Sequence, residues 1–122
     1  MSVPYWVQDA VFYQIFPDRF ANGDHDNDPP NVRSWGSKPT LWGFQGGDLR
    51  GVIKKFDYLL DLGVNALYFN PIFQATSNHR YNITDYYQID PKLGEMRDFE
   101  ALLDVAHHNG VTVILKHVNR VL

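Results

Sequence analysis

The sequence has 122 residues, which is enough for one domain or for a part of one. Its 44% hydrophobic and 15% aromatic residues exclude an intrinsically disordered chain. A formal charge of −3 without a basic stripe argues against a nucleic-acid or anionic-membrane partner, and the lack of cysteine excludes disulfides and thiolate metal sites.

The N-terminus shows no targeting signal. Residues 1–9 lack the basic start and the apolar core of a signal peptide. No apolar run approaches the length of a membrane span. We therefore expect a cytoplasmic protein with no membrane partner.

The first half of the chain predicts a strand, a long loop and a helix. Val11–Ile15 is short, β-prone and nearly all apolar, which is typical of a strand buried on both faces. Residues 21–47 are rich in Gly, Pro, Asn and Asp and predict a loop. Residues 48–63 have apolar side chains at helical spacing, so we expect one amphipathic helix with Asp48 as N-cap and Gly63 as stop.

The second half repeats this order. Asn65–Phe69 predicts a second buried strand, and a second polar loop covers about residues 71–94. A second helix is expected from about Asp98 to the Asn109–Gly110 pair, followed by a third strand at Val111–Leu115. Strands separated by helical crossovers indicate a parallel sheet, with both loops at the carboxyl ends of its strands.

Three parallel strands leave a sheet with two free edges. The first and third strands are apolar, so their open edges would pair with another chain unless something covers them. We therefore expect self-association through the open sheet edges. The sequence looks like an incomplete piece of a larger fold.

Several motifs stand in a fixed order along the chain. They are residues 11–24 (VFYQIFPDRFANGD), 46–51 (GGDLRG), 62–73 (LGVNALYFNPIF) and 77–87 (SNHRYNITDYY). They resemble the first two strands, the loops after them and the first helix start of the α-amylase family of glycoside hydrolases. In detail they are most similar to its neopullulanase, cyclomaltodextrinase and maltogenic amylase branch.

The match runs from about Ala10 to Leu115, and residues 116–122 depart from the family. The third strand leads into Lys116 where the family carries an aspartate. A cation in place of an anion reverses the local field. For this reason we assign no catalytic role to residues 116–122.

The resemblance implies an α/β fold, namely the first three strands and two helices of a parallel (β/α)8 barrel that takes about 250 residues in full. It implies retaining cleavage or transfer of α-glucosidic bonds in maltodextrin, cyclodextrin or pullulan, which needs two carboxylates about 5 Å apart. In the family these carboxylates lie on the fourth and fifth strands. We therefore expect no catalytic residue here and no activity of the chain alone. The alternative is a non-catalytic calcium- and glucan-binding module or a self-associating half-barrel.

The first loop carries the candidate metal ligands. Residues 22–28 (NGDHDND) offer five carboxylate or amide side chains, and oxygen ligands of these kinds suit calcium. An EF-hand is excluded, because counting from Asn22 puts Asn27 where that loop needs Gly and Arg33 where it needs Glu. From composition alone, a solvated turn with Asp48 as helix cap is the alternative. The resemblance implies a structural calcium site formed by Asn22, Asp24, Asn27, Asp28, Gly46 and Asp48.

The second loop carries the candidate sugar-binding residues. Aromatic faces next to planar polar side chains suit carbohydrate recognition. By resemblance, Tyr81 would stack on the glucose at the cleavage site and His79 would hydrogen-bond its hydroxyls. The alternative is that both pack the loop against the strand ends. Trp6, Trp35 and Trp42 could line a glycan groove, although tryptophan more often packs in partly buried positions.

Overall fold

The computed structural model describes residues 8–38, 40, 43–75, 83–116 and 120–121. In chain order the elements are β1 (Phe12–Ile15), α1 (Pro17–Phe20), a short 3-10 helix (His25–Asn27), α2 (Leu49–Lys54), α3 (Phe56–Asp61), β2 (Ala66–Phe69), β3 (Phe73–Ala75), β4 (Ile83–Ile89), α4 (Met96–His108), β5 (Thr112–Leu115) and β6 (Arg120–Val121). The predicted alternation of strand, loop and helix is present.

The main sheet has the strand order β1-β2-β5-β6. The pairs β1–β2 and β2–β5 are parallel, in a register that aligns Ile15 with Phe69 and Phe69 with Leu115. The predicted parallel sheet is therefore confirmed. The third predicted strand, β5, does not have the fully open edge that we expected, because β6 pairs antiparallel with the end of β5.

The prediction that the first strand is buried on both faces is wrong. Ile15 is fully buried, but Phe12 is 47% exposed and Val11 is 49% exposed. Successive side chains of a strand point to opposite faces. Among the described strands β1 lies at the edge of the sheet, and the face that carries Phe12 is in contact with solvent.

The hydrophobic core lies between the sheet and the helices. Alternate strand residues reach it from β1, β2 and β5, and they meet apolar side chains of α2, α3 and α4. Its fully buried members include Ile15, Leu67, Phe69 and Val113 from the strands and Leu49, Val52, Leu59 and Leu102 from the helices. This packing fixes the carboxyl ends of the strands, where the first loop begins.

The helix predicted over residues 48–63 is divided in two. Asp48 is its N-cap and Gly63, with φ of +80°, ends it, as expected. Lys55 adopts φ −98° and ψ 14°, which separates α2 from α3. The Lys55 N–H still donates to the Gly51 carbonyl at 3.1 Å, and Leu59 N–H donates to the Lys55 carbonyl at 3.3 Å. The interruption is thus a local change of backbone angle within a continuous hydrogen-bonded path.

The second loop is not irregular throughout, and in this respect its prediction is wrong. β3 and β4 form a two-stranded antiparallel sheet within it, with register shifts between Phe73 and Ala75. Residues 83–89 (ITDYYQI) hold β-branched and aromatic side chains, which favour a strand. Their polar neighbours hid this preference.

The second predicted helix is α4, which begins slightly before Asp98. Glu95 and Asp98 form a capping box at its start, each side chain accepting from the other's backbone N–H. It ends at Asn109 and Gly110, as predicted, and Gly110 has φ of +70°. Among the described residues, no helix is long and apolar enough to cross a membrane.

Candidate metal centre

Asp48 joins the first loop to the start of α2. Its side chain is fully buried. One carboxylate oxygen accepts from Gly51 N–H at 2.7 Å and Gly23 N–H at 2.8 Å, and the other accepts from Asp24 N–H at 2.9 Å. The helix-cap role that we weighed as an alternative is therefore present. It is combined with a direct tie to the residues around Asp24.

Asn22, Asp28 and Gly46 lie together on one side of the loop. The Asn22 amide nitrogen donates to Asp28 Oδ1 at 2.7 Å. A Cβ at Gly46 would lie 2.8 Å from that nitrogen and 2.9 Å from that oxygen, so Gly46 is in close contact with both side chains. The structure thus brings together three of the six predicted ligands at this point.

Asn22 also supplies an oxygen with no partner. Its Oδ1 atom is buried and accepts no hydrogen bond. Leaving a buried polar atom unsatisfied costs about 1–3 kcal/mol, so such atoms in folded proteins call for a ligand, a water or an ion. This atom is the observation that best fits a cation beside the Asn22 side chain.

Asn27, Asp24 and Asp48 form the second group of predicted ligands. The Asn27 carboxamide lies against three oxygens: the Asp24 carbonyl at 2.8 Å, Asp48 Oδ2 at 3.1 Å and the Lys92 carbonyl at 3.3 Å. With its nitrogen turned toward them, Asn27 donates to all three oxygens. The three predicted ligands of this group are thus tied together by hydrogen bonds.

One side of this group faces open space. Asp24 and Asn27 line a cavity of about 610 Å³ between the first loop and the start of α4. Asp24 Oδ1 accepts from Asp26 N–H at 2.9 Å, which fixes the turn at the cavity wall. An ion from solvent can reach the oxygens of the loop from this side.

Burial sets the electrostatics of the centre. It raises the pKa of the Asp48 carboxyl above its ordinary value of 3.8, outweighing the N–H groups of Gly23, Gly51 and Asp24, which lower it. A desolvated carboxylate of this kind is stabilised by a nearby positive charge. The negative charge of the Asp48 carboxylate is thus compensated only in part by these N–H groups. Amide and carbonyl oxygens, which are uncharged, lie next to it.

Within the described part of the chain, no group of three or more His, Cys, Asp or Glu side chains is placed to hold a metal ion. The gathered oxygens come instead from carboxylates, amides and the backbone. That mixture suits hard cations such as calcium, which accept amide and carbonyl ligands, and it does not suit zinc.

Asp18 is a residue of this region that the sequence analysis missed. It is 1% exposed and accepts from Gln45 N–H at 3.0 Å, Gly46 N–H at 3.2 Å and Arg19 Nε at 3.0 Å. A carboxylate in the short helix α1, directly after β1, was the signal that could have found it. Its backbone partners are 27 and 28 residues away and leave no local pattern.

The candidate sugar-binding residues His79 and Tyr81 lie outside the described residues, as does Trp42. Trp35 is described and is 52% exposed, so it does not pack in the core. It lines a cavity of about 270 Å³ with Arg19, Ser37 and Gln45.

The family model "Alpha amylase, catalytic domain" matches residues 14–120. The chain belongs to the α-amylase family. This confirms the resemblance seen in the motifs, and the observed parallel strands and helices are the corresponding part of a (β/α)8 barrel.

This α-amylase-family chain is similar to several curated enzymes. It is 53% identical to a cyclomaltodextrinase of Thermoanaerobacter pseudethanolicus over 94% of this chain and 20% of that protein. It is 50% identical to an intracellular maltogenic amylase of Bacillus subtilis over 96% of this chain and 20% of that protein. The chain therefore spans about a fifth of the length of these relatives.

A solved structure shows the same relation. The cyclic α-maltosyl-(1→6)-maltose hydrolase of Arthrobacter globiformis, in complex with cyclic α-maltosyl-(1→6)-maltose, matches with a TM-score of 0.92 and 50% identity. The match covers 94% of this chain and 26% of that one. The fold described here is thus similar to one segment of an α-glucan hydrolase.

Proposed function

We propose that this chain forms part of an α-glucan-active glycoside hydrolase that hydrolyses or transfers α-glucosidic bonds. The observation that carries the proposal is the identity of 53% to a cyclomaltodextrinase over 94% of the chain. Relatives of this similarity commonly share their substrate class. Maltodextrin, cyclodextrin and pullulan are the substrates to test.

The 122 residues alone are expected to be inactive. A retaining glycosidase needs two carboxylates about 5 Å apart. By the family resemblance these belong to the fourth and fifth barrel strands, whereas the described parallel strands are β1, β2 and β5 of a single open sheet. The purified chain should release no product from a chromogenic maltoside, and robust turnover would refute this.

Calcium is the proposed structural cation of the first loop. The ligands would be Asn22, Asp24, Asn27, Asp28, Gly46 and Asp48. The partnerless Asn22 oxygen and the contacts that bring the predicted ligands together support the proposal. When bound, calcium would supply positive charge beside the buried Asp48 carboxylate.

This cation would have a structural rather than a catalytic role. The Asp48 carboxylate already ties the loop to α2, and Asp28 and Asn22 already contact each other. The residues thus hold the loop in shape, and the cation would strengthen that hold. Magnesium is a weaker candidate because it demands near-ideal octahedral geometry.

His79 and Tyr81 are proposed to contact the glucan, Tyr81 by stacking and His79 by hydrogen bonding. Titration of the chain with a maltooligosaccharide should show weak binding that Tyr81→Ala abolishes. Tyr58→Ala is the matched control, because Tyr58 is a tyrosine that is 51% exposed on α3, outside the second loop. Equal loss in both variants, or no loss in Tyr81→Ala, would contradict the proposal.

Self-association is the second candidate, favoured by the half-exposed apolar side chains of Val11 and Phe12. Light scattering should then give a mass that rises with concentration and falls in Phe12→Thr. A constant monomer mass would exclude it.

A cytoplasmic location is also proposed, supported by the name of the intracellular relative from Bacillus subtilis.

A further inference from the structure

The buried Asp18 carboxylate has no role in the ligand set proposed above. It is 1% exposed, yet it accepts hydrogen bonds from the backbone N–H groups of Gln45 and Gly46 and from Arg19 Nε. Burying a carboxylate is costly unless donors of this kind surround it. All but Arg19 of these donors come from the segment that ends at the proposed ligand Gly46.

Asp18 also fixes the peptide that follows Gly46. Its backbone carbonyl accepts from Gly47 N–H at 2.8 Å. In a trans peptide the C=O and N–H groups point in opposite directions. The direction of the Gly46 carbonyl is therefore set by a hydrogen bond from the next residue to Asp18.

Gly46 lies against two other proposed ligands in a conformation that its surroundings must hold. Its φ is +92°, in the left-handed region that favours glycine. A Cβ there would meet Asn22 and Asp28, two other proposed ligands. The position of Gly46 against Asn22 and Asp28 thus depends on the hydrogen bonds that Asp18 accepts from Gln45, Gly46 and Gly47.

Arg19 adds hydrogen bonds to residues farther back in the same loop. Its guanidinium donates to Asp18 Oδ2, to the Thr40 carbonyl at 2.8 Å and to the Gly43 carbonyl at 3.1 Å. A lysine could not make these contacts together, because it lacks the planar fork of donors. The pair therefore holds the segment before Gly46 at several points.

We infer that Asp18, supported by Arg19, is a positioning residue for the cation site of the first loop, holding Gly46 where it can act with Asn22 and Asp28. The inference rests on the proposed calcium site. It assigns Asp18 no contact with the cation itself.

The test is the calcium affinity of Asp18→Asn, measured by calorimetric titration of the full chain. Loss of a residue that orients metal ligands typically weakens affinity about 10- to 100-fold, and we expect a Kd raised by this factor. Melting in EDTA is measured alongside. A purely structural role would lower the Tm in EDTA and leave the calcium Kd unchanged, and that result would overturn the inference.

Asp57→Asn is the matched control, because Asp57 is an exposed carboxylate on α3. The calcium Kd of this variant should equal that of the unaltered chain. If Asp18→Asn does not fold, Arg19→Lys provides the second variant and should raise the Kd several-fold. An unchanged Kd in Arg19→Lys would then overturn the inference. If the unaltered chain takes up no calcium at all, the proposed metal site fails. If it binds and Asp18→Asn binds equally well, only the present inference fails.

Discussion

The loop after β1 and the loop after β2 are both polar, and both were expected to be irregular. In the second, β3 and β4 pair through their backbones. In the first, the buried carboxylates Asp18 and Asp48 accept backbone N–H groups from distant parts of the loop and from α2. Backbone pairing tolerates most side chains. A loop whose backbone N–H groups donate to one buried carboxylate depends on that single residue.

This difference makes the first loop sensitive to substitution. A buried carboxylate needs every donor in place, and each lost acceptor leaves a buried N–H unsatisfied. The second loop should lose little when one exposed side chain changes.

Gly47→Ala should have the largest effect. A Cβ at this position would overlap the Pro17 and Asp18 carbonyls, which are backbone atoms and cannot move aside. We expect a loss of about 4 kcal/mol in the free energy of unfolding, measured by urea titration. Gly36→Ala is the control, because its φ is +83° but nothing lies near its Cβ. It should cost only about 1 kcal/mol in the free energy of unfolding. Equal losses for the two variants would show that Gly47 is not packed tightly against the Pro17 and Asp18 carbonyls.

Asp48→Ala should come next. It removes the acceptor of Gly23, Asp24 and Gly51 and the N-cap of α2. We expect a loss of about 3 kcal/mol in EDTA, from the cap and the unsatisfied N–H groups together. Asp26→Ala, which removes an exposed carboxylate of the same loop, should change stability by less than about 0.5 kcal/mol. A loss as small for Asp48→Ala would show that the buried Asp48 carboxylate does not hold the first loop in place.

Asp98, in the first turn of α4 after the second loop, should give a smaller effect that depends on pH. Burial raises the pKa of its carboxyl, but the Glu95 N–H and Arg50 outweigh burial and hold the pKa below its ordinary value of 3.8. A lowered folded-state pKa contributes stability above the unfolded-state pKa and loses it as pH falls through the folded-state pKa. The advantage of the unaltered chain over Asp98→Asn should therefore be full at pH 6 and shrink below about pH 4.

The measurement is urea unfolding of both chains at a series of pH values. Glu100→Gln, which removes an exposed carboxylate on the same helix, serves as the control for the loss of a surface charge. A difference for Asp98→Asn that stays constant down to pH 3 would show that Arg50 and the capping box do not favour the ionised carboxylate.

Gln88→Ala should have the smallest effect. Gln88 is an exposed side chain of β4, and the pairing of β4 with β3 uses the backbone. We expect a change of less than about 0.5 kcal/mol by urea unfolding. A loss comparable to that of Asp48→Ala would erase the contrast between the two loops.

Elements whose order depends on local apolar spacing were predictable. β2 and α4, the Asp48 cap and the Gly63 stop follow from spacing and capping chemistry alone. The exposure of Phe12 was not predictable, because it depends on which strand lies at the edge. The β3–β4 sheet was missed because its β-prone residues lie among turn formers.

The candidate site divides in the same way. The ligand set was read from residues 22–28 and the Gly46–Asp48 turn by resemblance, and the structure brings these segments into contact. Asp18 was not found, because its partners are distant in sequence and burial decides its role. Long-range contacts between a carboxylate and the backbone leave no periodic pattern.

The most direct test of the calcium proposal is the thermal melting of the chain in EDTA, in millimolar calcium and in millimolar magnesium. A ligand that binds only the folded state raises the Tm. The account predicts a higher Tm in calcium than in EDTA, a smaller shift in magnesium, and no calcium shift in Asn22→Ala. Identical melting with and without calcium would contradict it, and the first loop would then be held by its carboxylates alone.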